Sequence, residues 1–553
     1  MIYVLIFFTS LILTIFSLPY LINLLVKLDI VDMPGGRKKH TTPTPRMGGI
    51  IIFAVTFLTL FSFVPDLNMI RLIFISSTLM LVCGMIDDRN GLDWRKKFII
   101  QFAAAGSAVV FLAPMFTNIS FLSFVIPAPW SYILLTVFIV GAVNSINLMD
   151  GMDGLVTGFA LIAFFMIFWL AYLSHNYFLL ILCSALVGST LGFLKFNAFP
   201  ARIFLGDTGS LVLGMFIVLA ALLITPDYNG GRTLSLTFPM ILLGLPILDT
   251  VKVMSIRLWN KKSPFMPDRN HFHHVLIGSN IRHKYIVFII QLISIVFILL
   301  AYYYMAVSKG FALSVFFVLG IIILFTKPLL PKLFQIQSLR EYGLKLINRM
   351  PVAFVSAYTK ILIPISIFAA ALLVAFLIPG QSHLTFLTIL ILIASCSMLF
   401  FISHYQFIKS GAFSETYVLI NLLIFTAVAS MSHPLVNLFA MNSDISLFVV
   451  RFSYLFLFFF IVFFLLTRER LFAKKPTLLS GIDLVILVLI FLTTVVQSIV
   501  KTSGLNFLGV HMILGFGIYL WFKIILNWRT NVGVYFYYFS FLLPIASLVV
   551  LMV

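Results

Sequence analysis

The sequence predicts an all-α protein, a polytopic bundle of about 18 transmembrane helices with its N-terminus extracytoplasmic and its polar loops gathered on the cytoplasmic face. Three observations carry that prediction. Of 553 residues, 62% are hydrophobic and only 10% charged, and mean hydropathy is +1.15. This balance excludes a soluble globular enzyme, a disordered chain and a fibrous repeat. Apolar runs of about 20 residues, enough to cross hydrocarbon as a helix, recur almost from end to end, whereas a membrane β-barrel would alternate in segments of about 10. The basic residues are also one-sided. If the first run ends near Lys27 and sides alternate from there, every Lys and Arg except Arg71, Arg232, Lys309, Arg451 and Lys501 falls on one side, as the positive-inside pattern requires. The net charge of +19 therefore sets topology and draws anions to the membrane surface; it does not point to nucleic acid.

In chain order, the first run, Met1 to about Val26, lacks the short basic lead and small-residue cleavage site of a removed signal peptide and reads as a retained span. About eleven spans are expected up to Phe325. Their inner-face loops lie at roughly 27–46, 87–97, 148–153, 195–208 and 257–284 and are rich in Gly, Pro, Asp, Asn and His. The opposite connections, such as Val64–Met69 and Thr225–Thr233, are short and plain. The stretch Lys327–Met350 is polar and partly amphipathic and reads as an interfacial linker. It separates a first module, residues 1–326, from a second, residues 351–553, which has about seven further spans and short basic loops such as Thr467–Lys475. No internal repeat is visible at transporter scale. Cys83, Cys183 and Cys396 lie in apolar runs without CxxC spacing and read as buried core residues.

The carboxylates locate the chemistry. Asp32, Asp87, Asp88, Asp93, Asp150, Asp153, Asp207, Asp249 and Asp268 all fall on or beside the inner face of the first module. A carboxylate near hydrocarbon is costly and is a functional candidate by default. Gly84–Asp88 (GMIDD) ends the third span with two adjacent acids, whose repulsion calls for a divalent cation or a positive partner; Arg95, Lys96, Lys97 and Gln101 follow. Asn144–Gly154 (NSINLMDGMDG) packs hard oxygen donors and glycines directly after a span, which suits Mg²⁺ or the hydroxyls and amides of a nucleotide. Asn197–Ser210 (NAFPARIFLGDTGS) offers flexible backbone amides to cradle phosphate and a carboxylate for a metal. In Pro264–His274 (PFMPDRNHFHH), Arg269 beside the first of three His favours binding of a diphosphate over zinc ligation. Gly35–His40 (GGRKKH) with Pro43–Gly49 (PTPRMGG) reads as a shaped basic loop. Together these five segments describe a site that gathers carboxylates, a metal and a polyphosphate at the membrane surface.

With RKKH and PTPRMGG, GMIDD and KKFIIQ, NSINLMDGMDGL, FNAFPARIFLGDTGS, PILDT and PDRNHFHHVL in this order over about residues 1–325, the chain resembles the polyprenyl-phosphate N-acetylhexosamine-1-phosphate transferase superfamily. The HFHH form is similar to the branch that uses UDP-GlcNAc, and less so to the translocase that makes lipid I. The resemblance implies an enzyme that transfers N-acetylhexosamine 1-phosphate, most simply GlcNAc 1-phosphate, from a UDP-N-acetylhexosamine to undecaprenyl (polyprenyl) phosphate and releases UMP. This would start a cell-envelope glycan at the cytoplasmic membrane, with Mg²⁺ (or Mn²⁺) as cofactor and a homodimer as a family habit. Carried across by motif, Asp207 and Asn147 would hold the metal. Asp87 would deprotonate or position the lipid phosphate with Asp88 beside it, and Lys97 would face that phosphate. Asn197 would orient phosphate, and Asn144, Asp150 and Asp153 would lie on the nucleotide side. Arg269, His271, His273 and His274 would bind the diphosphate or sugar, with Lys39 and His40 as further contacts. Residues 351–553 depart from the family, whose members typically end near residue 325–350 of this chain. A transporter or flippase of lipid-linked sugars stands as the alternative, chiefly for that second module.

Overall fold

The computed structural model describes residues 2–33, 43–64, 67–122, 124–227, 233–263, 271–277 and 283–325. All of these lie in one of the two compact units into which the chain divides. The linker and second module anticipated at 327–350 and 351–553, with their seven spans, fall outside the described residues.

In order, the elements are α1 (Ile2–Lys27), β1 (Val31–Asp32), β2 (Thr44–Pro45), α2 (Gly49–Phe63), α3 (Leu67–Asn90), α4 (Trp94–Leu112), β3 (Asn118–Phe121), β4 (Phe124–Pro127), α5 (Trp130–Met149), α6 (Leu155–Leu173), α7 (Tyr177–Asn197), α8 (Gly206–Leu223), β5 (Pro226–Asp227), β6 (Thr233–Ser235), α9 (Thr237–Leu242), α10 (Gly244–Trp259), α11 (Phe272–Ile277), α12 (His283–Ala306) and α13 (Lys309–Phe325). Among the described residues, eight helices are long and apolar enough to cross a membrane: α1, α3, α4, α5, α6, α7, α8 and α12. Eleven were expected. The helices α2 and α13 are apolar but shorter, and the remaining expected span is broken at Leu243 into α9 and α10. Of these, α10 carries Asp249, Lys252 and Arg257 in its buried face, so it is amphipathic where a lipid-facing helix would be apolar all round.

The core is α8, flanked by α3, α5, α6 and α2. Its residues from Thr208 to Leu223 are all buried, as expected for a helix that is apolar on every side. Small residues let its neighbours close in. A Cβ on Gly49 would stand 2.1 Å from Gly209 Cα, and one on Gly84 would stand 2.3 Å from Thr208 Cα. The helices α1 and α7 meet through a GxxxG pair, since a Cβ on Gly188 would reach the Phe7 carbonyl at 2.3 Å and one on Gly192 the Thr14 Cβ at 2.9 Å. Hydroxyls bond across the same layer, Ser10 with Thr59 at 3.1 Å and Thr56 with Ser189 at 3.3 Å. Close backbones and interhelical hydroxyl bonds hold helices together where lipid removes the hydrophobic incentive.

The fold is not purely helical. At the end of the bundle away from Asp87 and Asp207, a four-stranded sheet runs β4-β3-β6-β5. There β3 pairs antiparallel with β4 (Ile119 opposite Ile126) and parallel with β6 (Ile119 opposite Leu234), and β5 pairs antiparallel with β6. The expectation of a plain Thr225–Thr233 connection is therefore corrected: its two ends are strands that close a sheet with the α4–α5 connection. At the other end, β1 pairs with β2, and Arg46 forms an ion pair with Asp32. The segment then laces onto the approach to α8, with Phe204 N donating to Pro45 O at 2.8 Å and Gly48 N to Phe204 O at 3.1 Å.

Candidate active site

The site is built where α3 ends, α4 and α8 begin and α5 stops. Asp87 and Asp88 occupy the last turns of α3, Lys97 the first turn of α4, Asn147 the last turn of α5 and Asp207 the first turn of α8. Lys97 Nζ donates to Asp87 Oδ2 and to Asp207 Oδ2, at 2.6 Å each. Asp207 Oδ1 accepts from Asn147 Nδ2 at 3.0 Å, and Asp87 Oδ1 accepts from Leu92 N at 2.6 Å. The positive partner that paired acids require is thus Lys97. An ammonium has three N–H donors; two are used here, and the third is left for an incoming oxygen. Side-chain exposure is 13% for Asp87, 18% for Lys97 and 31% for Asp207, so Asp207 offers most of the open edge.

Asp88 does a different job. Its Oδ1 accepts from Asp207 N at 3.0 Å; its Oδ2 accepts from Thr208 N at 3.0 Å and Thr208 Oγ1 at 2.6 Å. The first turn of a helix leaves N–H groups without intrahelical partners, and Leu205 at the N-cap of α8 supplies no side-chain bond. Asp88 supplies it from another helix. The amides of Asp207 and Thr208, where a phosphate cradle was anticipated, are thus already bonded, and Asp88, anticipated beside the catalytic Asp87, is tied to the first turn of α8.

Three further anticipated contacts are also bonded within the protein. Asn197 is buried: its Oδ1 accepts from Gly154 N at 3.2 Å and Thr157 Oγ1 at 2.7 Å, and its Nδ2 donates to Ile203 O at 3.0 Å. Asn144 donates to Gln101 Oε1 at 2.6 Å and to Val140 O at 2.8 Å, and accepts from Gln101 Nε2 at 3.3 Å. Asp153 Oδ2 accepts from Ala201 N at 3.1 Å. These bonds consume the polar atoms of Asn197 and most of those of Asn144, so both side chains shape the loops beside the acids. Asp150 is the other carboxylate of this loop. Burial first, then the charges of Asp207, Asp88 and Asp153, push its carboxyl well above the ordinary value.

The histidines close the other side. A Cβ on Gly151 would come within 2.2 Å of His273 Nε2, so the HFHH segment lies directly on the DGMDG loop. His271 and His273 stack nearly parallel, 6.0 Å between centroids at 11°, and His273 meets His274 at 4.2 Å. Burial, then the like charges of His274 and His271, lower the pKa of His273 to about 3, so its ring is neutral. Asp249, assigned no role from sequence, holds the segment: its Oδ2 is 3.0 Å from His271 Nδ1 and its Oδ1 accepts from Phe272 N at 3.0 Å. Its signal was a lone acid inside an otherwise apolar stretch, PILDT. Lys39, His40 and Arg269 lie outside the described residues.

Among the described residues, no three His, Cys, Asp or Glu side chains are grouped to hold a metal alone. A small hard cation needs less, because Mg²⁺ keeps several waters and completes its shell with substrate phosphates. Asp207 and Asn147, hydrogen-bonded to each other on the open edge, provide hard oxygens of that kind, and this donor set fits.

Comparison with known proteins identifies relatives of this chain. The model of glycosyl transferase family 4 matches residues 70–225, from α3 to the end of α8. A probable undecaprenyl-phosphate N-acetylglucosaminyl 1-phosphate transferase of Bacillus subtilis is 34% identical over 316 residues, 57% of this chain and 88% of the relative. The undecaprenyl-phosphate alpha-N-acetylglucosaminyl 1-phosphate transferase of Escherichia coli is 28% identical over 268 residues, 46% of this chain and 70% of the relative. A phospho-N-acetylmuramoyl-pentapeptide-transferase of Listeria welshimeri is 34% identical over 245 residues, 40% of this chain and 75% of the relative.

Proposed function

The chain belongs to the polyprenyl-phosphate N-acetylhexosamine-1-phosphate transferases of glycosyl transferase family 4, and from that premise we propose that it transfers GlcNAc 1-phosphate from UDP-GlcNAc to undecaprenyl phosphate and releases UMP. The observation that carries this reading is the chain of contacts Asp87–Lys97–Asp207–Asn147 at the ends of four helices.

In the reaction, an oxygen of the lipid phosphate forms a bond to the β-phosphorus of the nucleotide sugar. The bond from that phosphorus to the bridging oxygen breaks, and UMP leaves with the electron pair. Lys97 gives its third N–H to a phosphoryl oxygen while Asp87 and Asp207 hold its other two, so the donor is fixed before the substrates arrive. Preorganised charge of this kind is the largest usual source of acceleration in phosphoryl transfer. Asp87 is anchored by Leu92 N and positions both Lys97 and the attacking phosphate. Asp207 and Asn147 would hold Mg²⁺ (or Mn²⁺), which supplies neutralisation of the diphosphate charge. His273, neutral and seated on Gly151, and His274 face the sugar diphosphate, with Arg269, Lys39 and His40 as further contacts. Asp150 and Asp153 border the nucleotide.

The wider reading rests on sequence pattern. Residues 1–326 are the transferase module, 327–350 a linker, and 351–553 a membrane extension that brings the total to about 18 spans. The one-sided Lys and Arg place the N-terminus outside and the acids at the cytoplasmic face of the cytoplasmic membrane.

The test is UMP release by the purified protein in detergent with undecaprenyl phosphate, Mg²⁺ and a panel of UDP-sugars. Release with UDP-GlcNAc, abolished by EDTA and in Asp207→Ala, is the expected result. A folded protein that releases no UMP from any UDP-sugar, beside an active control enzyme, overturns the reading.

A further inference from the structure

Asp249 is 7% exposed on the inward face of α10. A buried carboxylate needs hydrogen-bond donors, and among the described residues its two donors come from a segment 22 and 23 residues downstream: the His271 ring and the Phe272 amide. An ionised carboxylate only accepts, so His271 Nδ1 must carry the proton in that bond. The ring is thereby fixed in tautomer and in direction, with Nε2 as its remaining functional atom. Nε2 is buried and has no hydrogen-bond partner among the described residues. His271 itself is 5% exposed. A buried ring nitrogen that the protein orients but does not satisfy is a place for a ligand atom. The stack of His271 on His273, and of His273 on Gly151, puts that atom on the same wall as the DGMDG loop.

The ring has defined neighbours. His273 and His274 lie on α11, and Lys252 on α10 stands over the Phe272 ring at 5.9 Å. Among the described residues, Asp249 is the carboxylate bonded to this segment. Asp249 occupies one ring nitrogen of His271 and the other, Nε2, is left for a ligand atom. A histidine oriented by a carboxylate in this way depends on that second partner for its function.

We propose that Asp249 is a positioning residue for the transferase site: it holds the His271 ring so that Nε2 is directed at the bound nucleotide sugar. This rests on the transferase reading above. Asp249 touches no substrate and acts through His271.

A double-mutant cycle tests it on the full-length protein. The rates of UMP release with UDP-GlcNAc and undecaprenyl phosphate are measured for wild type, Asp249→Asn, His271→Ala and the double variant. Asn keeps the volume of Asp but has one acceptor for two donors and no charge. Asp249→Asn should lower kcat/KM by about 10- to 100-fold, the usual cost of losing the partner of an oriented histidine. In the His271→Ala background the same change should cost almost nothing. Asp249→Glu, which keeps the charge, should recover part of the loss and covers the case in which the Asn variant does not fold. An equal cost in both backgrounds overturns the proposal, because Asp249 would then act through the Phe272 amide; so does an unchanged kcat/KM. The cycle is read in parallel on UDP-GlcNAc binding by calorimetry. If wild type releases no UMP, the transferase reading fails, while coupling in binding still decides the role of Asp249.

Discussion

Lys97 is the residue on which most of the electrostatics turns. Without its ammonium, two carboxylates held at 2.6 Å from one point would face each other uncompensated, and removing one partner of a buried pair is far worse than never having built it. Lys97→Met should therefore lower kcat by about 10²- to 10³-fold, roughly 3–4 kcal/mol of barrier, in the UMP assay. Lys97→Arg should not restore it, since a planar guanidinium cannot replace a point donor shared by two oxygens. His273 gives a prediction in pH. Its pKa is about 3 in the fold, lower than the 6.5 of an ordinary histidine. Between those values the unfolded chain binds the proton and the folded one does not, so stability rises with pH across the window and is lost as pH falls. The melting temperature of wild type should fall between pH 6.5 and 4.5, and His273→Gln should flatten that slope. An equal slope in both proteins would remove His273 as the cause. At this scale the sequence names candidate residues more readily than their contacts. Adjacent acids announce a need for a cation, but nothing in the string GMIDD says that one acid pairs with Lys97 while its neighbour caps a helix more than 100 residues away. That distinction depends on which face of the last turn of α3 meets α8.

Helix ends and crossings explain how those side chains come to be where they are. Gly206 has φ +70° and Gly91 φ +69°, both in the left-handed region where a Cβ is strained. They differ in surroundings: a Cβ on Gly206 would meet Asp88 Oδ2 at 2.4 Å, while one on Gly91 would meet nothing within 4 Å. Gly91→Ala should cost about 1–2 kcal/mol of stability and leave turnover near wild type. Gly206→Ala should displace the Asp88 cap, swing Asp207 and remove activity out of proportion to any change in melting temperature. Comparable losses of turnover in the two variants would contradict that assignment of Asp88. In the α1–α7 crossing, Gly188→Leu should overpack the Phe7 carbonyl, destabilise by about 1–3 kcal/mol and lower the melting temperature in detergent. The long apolar helices were legible from run length alone, and α6, α7 and α8 match it closely. The sheet was not, because strands of two to four residues such as Pro226–Asp227 and Asn118–Phe121 are too short to show alternation. Nor was the break at Leu243, where hydropathy stays high through a change of direction and only the buried Asp249, Lys252 and Arg257 mark α10 as something other than a span.

For the molecule as a whole, the residues proposed for chemistry all lie in the first part of the sequence. Every acid, amide and histidine assigned to the site precedes residue 275, and the five acids beyond residue 326, Glu341, Glu415, Asp444, Glu469 and Asp483, form no sequence cluster. The relative from Bacillus subtilis aligns over 57% of this chain yet 88% of its own length. A catalytic module of about that extent is therefore sufficient for the fold of the relative. If the same holds here, a chain ended after residue 350 should keep the UMP release of the full protein within a few-fold, with the same loss on Asp207→Ala. The measurement is kcat and KM for both substrates in the two lengths. An increase confined to the KM for undecaprenyl phosphate would give residues 351–553 a part in presenting the lipid. A loss of kcat in a truncated protein that still melts cooperatively would mean that the later segment completes the site, and the division into modules at 327–350 would fall with it. The orientation is decided separately. Cysteines introduced at Asp227 on β5 and at Arg95 beside Lys97 lie at opposite ends of the bundle. If the acids face the side where Lys and Arg collect, a membrane-impermeant maleimide should label the first in intact cells and the second only after the membrane is opened. Labelling in the reverse order would place the acids outside and remove the nucleotide sugar from their reach.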